Sequence, residues 1–398
     1  MNVLHEFLQR AARLAARALS AARRGARSLN DGPVSPSASA ADAMGSETTA
    51  ASVAEPPRGP LQAVIQFRPR AAVPACLTPA PSVRSAEEST ALPLGTVPPR
   101  RATPPRGEFR AGSFANGEGR RAFRLFVPDA ASPTKRPLLV MLHGCKQNAQ
   151  DFSRGTRMNE LAQAHGWVVL YPEQRLTANG LGCWNWFKAG NQQRGRGEPK
   201  ILADLVRHVV AAEDIDLQRV YVAGLSAGGA MAATLAGTYP ELFAAVGIHS
   251  GLPHAAAHDM MSAFQAMRDG PRPGRRGAPE PDALRPTIVF HGDLDETVHP
   301  VNGEVLIASA AAPDGAAPSW TRVERGQEPG GHAWTRTVHT SADGRIQAEH
   351  WLVHGAGHAW CGGSPDGSYT DPGGPDASAE MLRFFAAHRR QIEAAPAA

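Results

Sequence analysis

Cysteine is scarce. The 398 residues hold four, at positions 76, 145, 183 and 361, with no Cys-x-x-Cys pair and no zinc-ligand spacing. Long apolar runs are missing too, since no window approaches the roughly 18 apolar residues of a membrane-spanning helix. Lysine is absent from the first 110 residues, where 14 arginines face 8 acids for a net charge of +6. The whole chain carries +4, so the remainder is −2. The basic character therefore belongs to the N-terminal arm, and the rest of the chain has no electrostatic footprint for nucleic acid. An export signal would need about seven uninterrupted apolar residues after its first charges, and arginines at 10, 13, 17, 23, 24 and 27 break every such run. Aromatic residues make up only 6% of the chain, so a local cluster of them carries information.

What is present divides by composition. Val3, Leu4, Phe7, Leu8, Ala11, Leu14, Ala18 and Leu19 recur at three- and four-residue spacing among the arginines. That periodicity predicts a basic amphipathic helix over 2–29, suited to an anionic membrane or an apolar granule surface. The competing reading is a solvated, alanine-rich helix or tail. Residues 31–106 are dominated by Pro, Ala, Ser, Thr and Arg, a composition that buries too little apolar surface to offset chain entropy, so a disordered linker is expected there. A folded domain is expected over 107–391, followed by a short tail at 392–398.

Within that domain, short apolar runs alternate with helical patterns. Arg121 to Val127 alternates apolar with polar, as a half-exposed strand does. Leu138 to Leu142 is continuously apolar and Trp167 to Tyr171 is similar, as strands buried on both faces are; the apolar run from Val220 that stops at Gly224, Ala244 to Ile248 and Thr287 to Phe290 read as further strands. Helices are predicted over 157–165, 200–213, 230–238, 257–268, 302–311 and 376–389. Residues 334–339 and 345–353 alternate around the turn signal Asp343-Gly344. The alternation predicts an α/β fold: a mostly parallel sheet covered on both faces, with chemistry beyond the carboxyl ends of its strands.

One of those strands runs into Gly224-Leu225-Ser226-Ala227-Gly228-Gly229 and then an alanine-rich helical stretch. This is the G-x-S-x-G pattern in the strand–turn–helix setting that a nucleophile elbow requires, which makes Ser226 the candidate nucleophile. The Ala227 amide, at the helix start, is one candidate oxyanion donor. A serine nucleophile needs a base, and the base needs an orienting carboxylate. The strand at 287–290 ends in His291-Gly292-Asp293-Leu294-Asp295-Glu296, where three acids compete for that role. Of 15 histidines, His358 sits between flexible residues in Gly355-Ala356-Gly357-His358-Ala359-Trp360 after the strand ending at Val353, and it is the candidate base. His339, His350 and His354 lie within or just beyond strands and read as packing or surface residues, while His332, in a second His-Ala-Trp triplet, lies upstream of the strand pair with no strand end feeding it. His143-Gly144-Cys145 ends the first buried strand, so the Cys145 amide is the second oxyanion candidate. Cys183-Trp184-Asn185-Trp186-Phe187 is a dense aromatic loop, and clustered loop aromatics suggest a substrate-binding surface to which Trp360 would add.

Four motifs in order carry a family resemblance. His143-Gly144-Cys145 with Gln147-Asn148-Ala149, Cys183-Trp184-Asn185-Trp186-Phe187, Gly224 to Met231, and Gly357-His358-Ala359-Trp360 together resemble the esterase/polyhydroxybutyrate (PHB) depolymerase family, over residues 110–390. That family also includes feruloyl and acetylxylan esterases. The resemblance implies an α/β-hydrolase fold, Ser226 as nucleophile, His358 as base and Asp295 as acid, the last from the Gly292-x-x-Asp295-x-x-Val298 pattern. It further implies oxyanion donation by Cys145, and a Cys145–Cys183 disulfide in secreted members; two reduced thiols are the alternative. The implied reaction is ester hydrolysis through an acyl-enzyme, with no metal or cofactor. The expected substrate is a poly- or oligo-3-hydroxybutyrate, with feruloyl or acetylxylan-type esters as the alternative. A reading from another class is a non-catalytic protein that coats granules. Without an export signal the expected location is cytoplasmic and granule-associated, against the extracellular location of many relatives.

Overall fold

The computed structural model describes residues 107–129, 135–271, 285–311 and 320–391. The predicted arm helix, the linker and the C-terminal tail lie outside these. The described strands are β1 (Glu108–Asn116), β2 (Gly119–Val127), β3 (Arg136–Leu142), β4 (Val168–Pro172), β5 (Ile215–Leu225), β6 (Ala245–His249), β7 (Thr287–Gly292), β8 (Trp320–Gln327), β9 (Ala333–Thr340) and β10 (Ile346–Val353), plus a two-residue pair, β11 (Trp360–Cys361) and β12 (Thr370–Asp371). The helices are α1 (Ala149–Thr156), α2 (Met158–His165), α3 (Gly197–Ala212), α4 (Ala227–Thr238), α5 (Met260–Asp269), α6 (Val301–Ala311) and α7 (Ala377–Ala386).

Ten strands form one sheet in the order β1-β2-β4-β3-β5-β6-β7-β10-β9-β8. The six in the middle are mutually parallel. Five of them are the strands the apolar runs predict and the sixth, β10, is the alternating 345–353 segment; β3, β4, β6 and β7 are buried almost throughout because helices cover both faces. Antiparallel strands close each side, β1 and β2 at one edge, β9 and β8 at the other. Against one face, α1, α2 and α7 enclose the main core, where Phe126, Leu139, Met141, Phe152, Met158, Tyr171, Tyr221, Phe290, Met381 and Phe385 pack together. Aromatic rings concentrate there: Trp167 stacks on Tyr221 at 5.2 Å, Tyr221 on Phe385 at 5.0 Å, and Phe290 on Trp351 at 5.3 Å.

Four elements differ from expectation. Strand β8 is polar and exposed along most of its length, so it shows no apolar period. Strand β1 pairs only at the sheet edge, with an irregular pattern of exposure. Helix α1 contains Gly155 and Thr156 and starts where the Asn148 side chain accepts the Asp151 amide, a cap rather than a periodic signal. The predicted 376–389 helix is shorter, Ala377–Ala386.

The aromatic-surface expectation is corrected. Trp184 is fully buried, Trp186 and Phe187 each expose only 6%, and Trp360 exposes 1%. The indole Nε1 of Trp184 donates to the His143 carbonyl at 3.1 Å, and that of Trp360 donates to Ser378 Oγ at 3.0 Å. With the polar handles of Trp184 and Trp360 satisfied inside the protein and Trp186 and Phe187 almost wholly buried, these rings brace the loops around the site instead of presenting a face to a substrate.

Candidate active site

The elbow is built by close approach. A Cβ on Gly228 would lie 2.0 Å from the Leu142 carbonyl oxygen, and one on Gly224 would lie 2.4 Å from the Gly228 backbone. Only glycine at both positions lets α4 start tight against β3 and β5. Between them Ser226 adopts φ 58° and ψ −121°, a strained conformation for a residue with a side chain. Its amide donates to the His249 carbonyl at 2.9 Å, and its own carbonyl accepts the Ala230 amide at 2.9 Å. From Val220 to Ala236 every residue is buried except Ser226, so the turn delivers one hydroxyl to the surface.

The candidate acid and base meet across two loops. Asp295 Oδ1 accepts the amides of Thr297 and Val298 at 2.9 and 2.8 Å, which fixes the carboxylate plane. Asp295 Oδ2 lies 2.7 Å from His358 Nδ1 and 3.5 Å from His291 Nε2. A carboxylate accepts here, so His358 Nδ1 carries the proton and Nε2 is left with the lone pair a base uses. Burial alone would raise the Asp295 carboxyl, but the rings of His358 and His291 and their hydrogen bonds hold it below the usual carboxylate range. It is charged at any working pH.

Asp293, the competing acid, is occupied elsewhere. Its Oδ2 lies 2.9 Å from His354 Nδ1, and its Oδ1 accepts the Gly355 amide at 2.7 Å. His354 Nε2 in turn lies 2.9 Å from Thr335 Oγ1. The two aspartates therefore each serve a different histidine, and Asp293 pins the entrance of the loop that carries His358. His332 supports the same loop, placing Nδ1 2.9 Å from the His354 carbonyl and Nε2 2.9 Å from Asp371 Oδ2. The interest of His332 and His354 comes from where the loop folds; no sequence spacing marks it.

The loop after β3 lies beside the elbow. A disulfide joins Cys145 to Cys183, with Cα atoms 4.2 Å apart. The Gly144 amide donates to Gln147 Oε1 at 2.9 Å, Lys146 donates to the Leu181 carbonyl at 2.8 Å, and Gln147 donates to the Gly144 carbonyl at 3.3 Å. Its neighbours' amides being engaged in this way, the loop is held rigid around the Cys145 amide. Burial lowers the His143 pKa, the ring bridging the Gly144 carbonyl and the Gln174 amide as a neutral strut. Behind it, the buried Glu198 carboxylate accepts from Arg121, Gln174 and Asn185. Sequence inspection missed both Glu198 and Gln174; nothing local distinguishes them from surface polar residues. Among the described residues no group of three or more His, Cys, Asp or Glu side chains is placed to hold a metal ion.

Known proteins give the site its context. Residues 121–315 match the family described as Esterase PHB depolymerase. Poly(3-hydroxyalkanoate) depolymerase C of Paucimonas lemoignei is 32% identical over 273 residues, 66% of this chain and 62% of that protein. Feruloyl esterase B of Neurospora crassa is 31% identical over 190 residues, 44% of this chain and 64% of that protein. The chain thus spans less than two thirds of the length of either relative. Among solved structures, an acetyl xylan esterase from Aspergillus awamori matches with a TM-score of 0.52 at 19% identity, covering 70% of this chain and 99% of that one, a likeness of fold. Sheet order, elbow and sequence agree: residues 121–315 match the Esterase PHB depolymerase family, on an α/β-hydrolase fold.

Proposed function

We propose that the chain is a serine esterase that cleaves carboxylic esters through an acyl-enzyme. The observation that carries this reading is the pairing of buried Asp295 with part-buried His358, 2.7 Å apart, in a fold whose strained elbow leaves Ser226 as its one accessible residue. His358 Nε2 takes the Ser226 proton as Oγ attacks the ester carbonyl. The amides of Cys145 and Ala227 stabilise the tetrahedral oxyanion, and the protonated His358 releases the alcohol. Water, deprotonated by the same ring, then frees the acid. No metal or cofactor takes part in this scheme.

The preferred substrate is a poly- or oligo-3-hydroxyalkanoate, in keeping with the name of the Paucimonas relative. Exposed apolar side chains support an apolar, water-insoluble substrate over a sugar ester: Leu176 follows β4, Met261 opens α5 after β6, and Leu294 follows β7, all beyond strand carboxyl ends. Feruloyl or acetylxylan-type esters are the second reading. The Cys145–Cys183 bond supports an oxidising, extracellular setting over the cytoplasm. Residues 2–29, with six arginines and Glu6 as the only acid, would hold the enzyme to a granule or anionic surface.

Two measurements test the reading. A fluorophosphonate probe should label the full chain but not Ser226→Ala, and Ser226→Ala and His358→Ala should each lower p-nitrophenyl butyrate turnover by on the order of 10⁴-fold while remaining folded. Near wild-type turnover in either variant removes that residue from the mechanism. For the arm, replacing its six arginines by glutamine in the full chain should leave that turnover unchanged but weaken pelleting with PHB granules, as high salt should also do. Undiminished pelleting leaves the arm no surface role.

A further inference from the structure

His249 ends β6, between the strand that delivers Ser226 and the strand that leads to Asp295. Its two ends touch both halves of the proposed machinery. The main-chain carbonyl accepts the Ser226 amide at 2.9 Å. The ring, across β6, accepts the Cys361 amide on Nε2 at 3.0 Å, three residues beyond His358. A backbone amide can only donate, so Nε2 must hold a lone pair and the proton must sit on Nδ1, which lies 3.2 Å from Ser250 Oγ. The ring is fully buried, stacked on Phe290 at 5.8 Å and on Trp360 at 5.1 Å. One residue is therefore hydrogen-bonded to the nucleophile turn through its backbone and to the base loop through its side chain.

We infer that His249 is a positioning residue for ester hydrolysis, a neutral imidazole whose Nε2 acceptor holds the His358 loop in register with Ser226. The inference rests on Ser226 and His358 being the nucleophile and base. The loop needs such a tie. Its entrance is pinned by Asp293 and His332 and its middle by the Leu294 amide, which donates to the Ala356 carbonyl at 3.0 Å, but beyond Gly357 the His358 side depends on the bonds at the loop's exit. At its exit, the Trp360 amide donates to the Tyr369 carbonyl at 2.7 Å, and the Cys361 amide reaches His249. Of these two exit bonds, only the second leads back to the strand beside the elbow. Neutrality matters as well as position. Burial, with the nearby His291 and His358 rings, pushes the His249 pKa down to about 3, so the acceptor lone pair persists throughout the range in which an esterase works. A charged ring here would repel the Cys361 amide and oppose formation of the His358 imidazolium.

Substitution in the full chain tests this. His249→Phe keeps the aromatic stack but removes the acceptor. With p-nitrophenyl butyrate, and with active sites counted by the initial burst, kcat should fall by about 10- to 100-fold and KM should stay within about threefold, because a base displaced by a fraction of an ångström costs rate and not binding. His249→Gln places an amide oxygen near the Nε2 position and should return kcat to within about fivefold of the parent. A purely structural role would lower the number of active sites and leave kcat per site unchanged, and that result overturns the inference. So does a Gln variant as slow as the Phe variant. If the Phe variant does not fold, imidazole nitrogen NMR of the unaltered protein decides: an unprotonated Nε2 on His249 between pH 5 and 9 supports the inference, and a protonated one overturns it. Ser226→Ala in the same assay separates the two levels. Full activity there overturns the nucleophile reading together with this inference, whereas an inactive Ser226→Ala beside a fully active His249→Phe overturns this inference alone.

Discussion

Asp293 and Asp295 stand two residues apart in one turn and do different work. Each has a histidine within 2.9 Å, but the environments diverge. Asp295 is 4% exposed, and among the described residues its carboxylate is the side-chain partner of His358, on Nδ1, so Nε2 is left for a substrate-side proton. The Asp293 pair is half-exposed, and His354 spends its other nitrogen on Thr335. Asp295→Asn should therefore lower kcat by on the order of 10⁴-fold, because the amide no longer holds the tautomer or stabilises the imidazolium. Asp293→Asn should cost less than about tenfold in kcat and show mainly as a lower melting temperature, since it loosens the bonds to His354 and Gly355. Parallel kinetics and thermal denaturation of the two variants would check this. A larger rate loss for Asp293→Asn would exchange their roles. The choice was visible in the sequence only through the family pattern; chemically, both aspartates, and Glu296 beside them, fitted the same turn.

At the scale of elements, what was legible depended on burial. Strands β3, β4, β6 and β7 and the second half of β5 are covered on both faces, so their sequences are largely apolar and can be read directly, whereas β10 shows an alternating pattern. The elbow could be read because sterics leave it no other residues: a side chain on Gly224 or Gly228 would overlap backbone, whatever the rest of the chain does. Strands β1 and β8 lie at the sheet edges and answer to solvent as much as to the core, which erases their period. The Cys183 to Phe187 loop was misread for a related reason. An aromatic cluster in a loop looks the same in sequence whether it faces water or folds under its own chain. Here the bond between Cys145 and Cys183 and the donation from Trp184 to the His143 carbonyl draw it inward. It thus supports the loop after β3 from below. His249 was invisible for the converse reason: a histidine ending an apolar strand gives no local sign of whether its ring packs, ligates or holds a distant amide.

For the molecule as a whole, the buried histidines set a limit on acid tolerance. His249 is held neutral with a pKa of about 3, and His254 and His350 with pKa values of about 4, in each case chiefly because burial disfavours the charged ring. In the unfolded chain the same groups titrate near 6.5. Between those values the unfolded state binds protons that the folded state refuses. Stability therefore rises with pH across that window and falls as pH drops below about 6.5 toward 4. A depressed carboxyl such as Asp295 acts in the same direction but only at lower pH, since its contribution is complete above the unfolded value near 4. The two effects are thus separable. Three histidines together correspond to an uptake of up to about three protons on unfolding near pH 5, or roughly 4 kcal/mol per pH unit. Urea denaturation of the disulfide-intact protein at pH 7.5, 6.0 and 5.0 should show a small change over the first step and a steep loss over the second. A midpoint that stays level from pH 7.5 to 5.0, or an uptake of less than one proton, would mean that these rings are charged in the folded protein. That result would also remove the neutral acceptor on which the tie between His249 and the His358 loop depends.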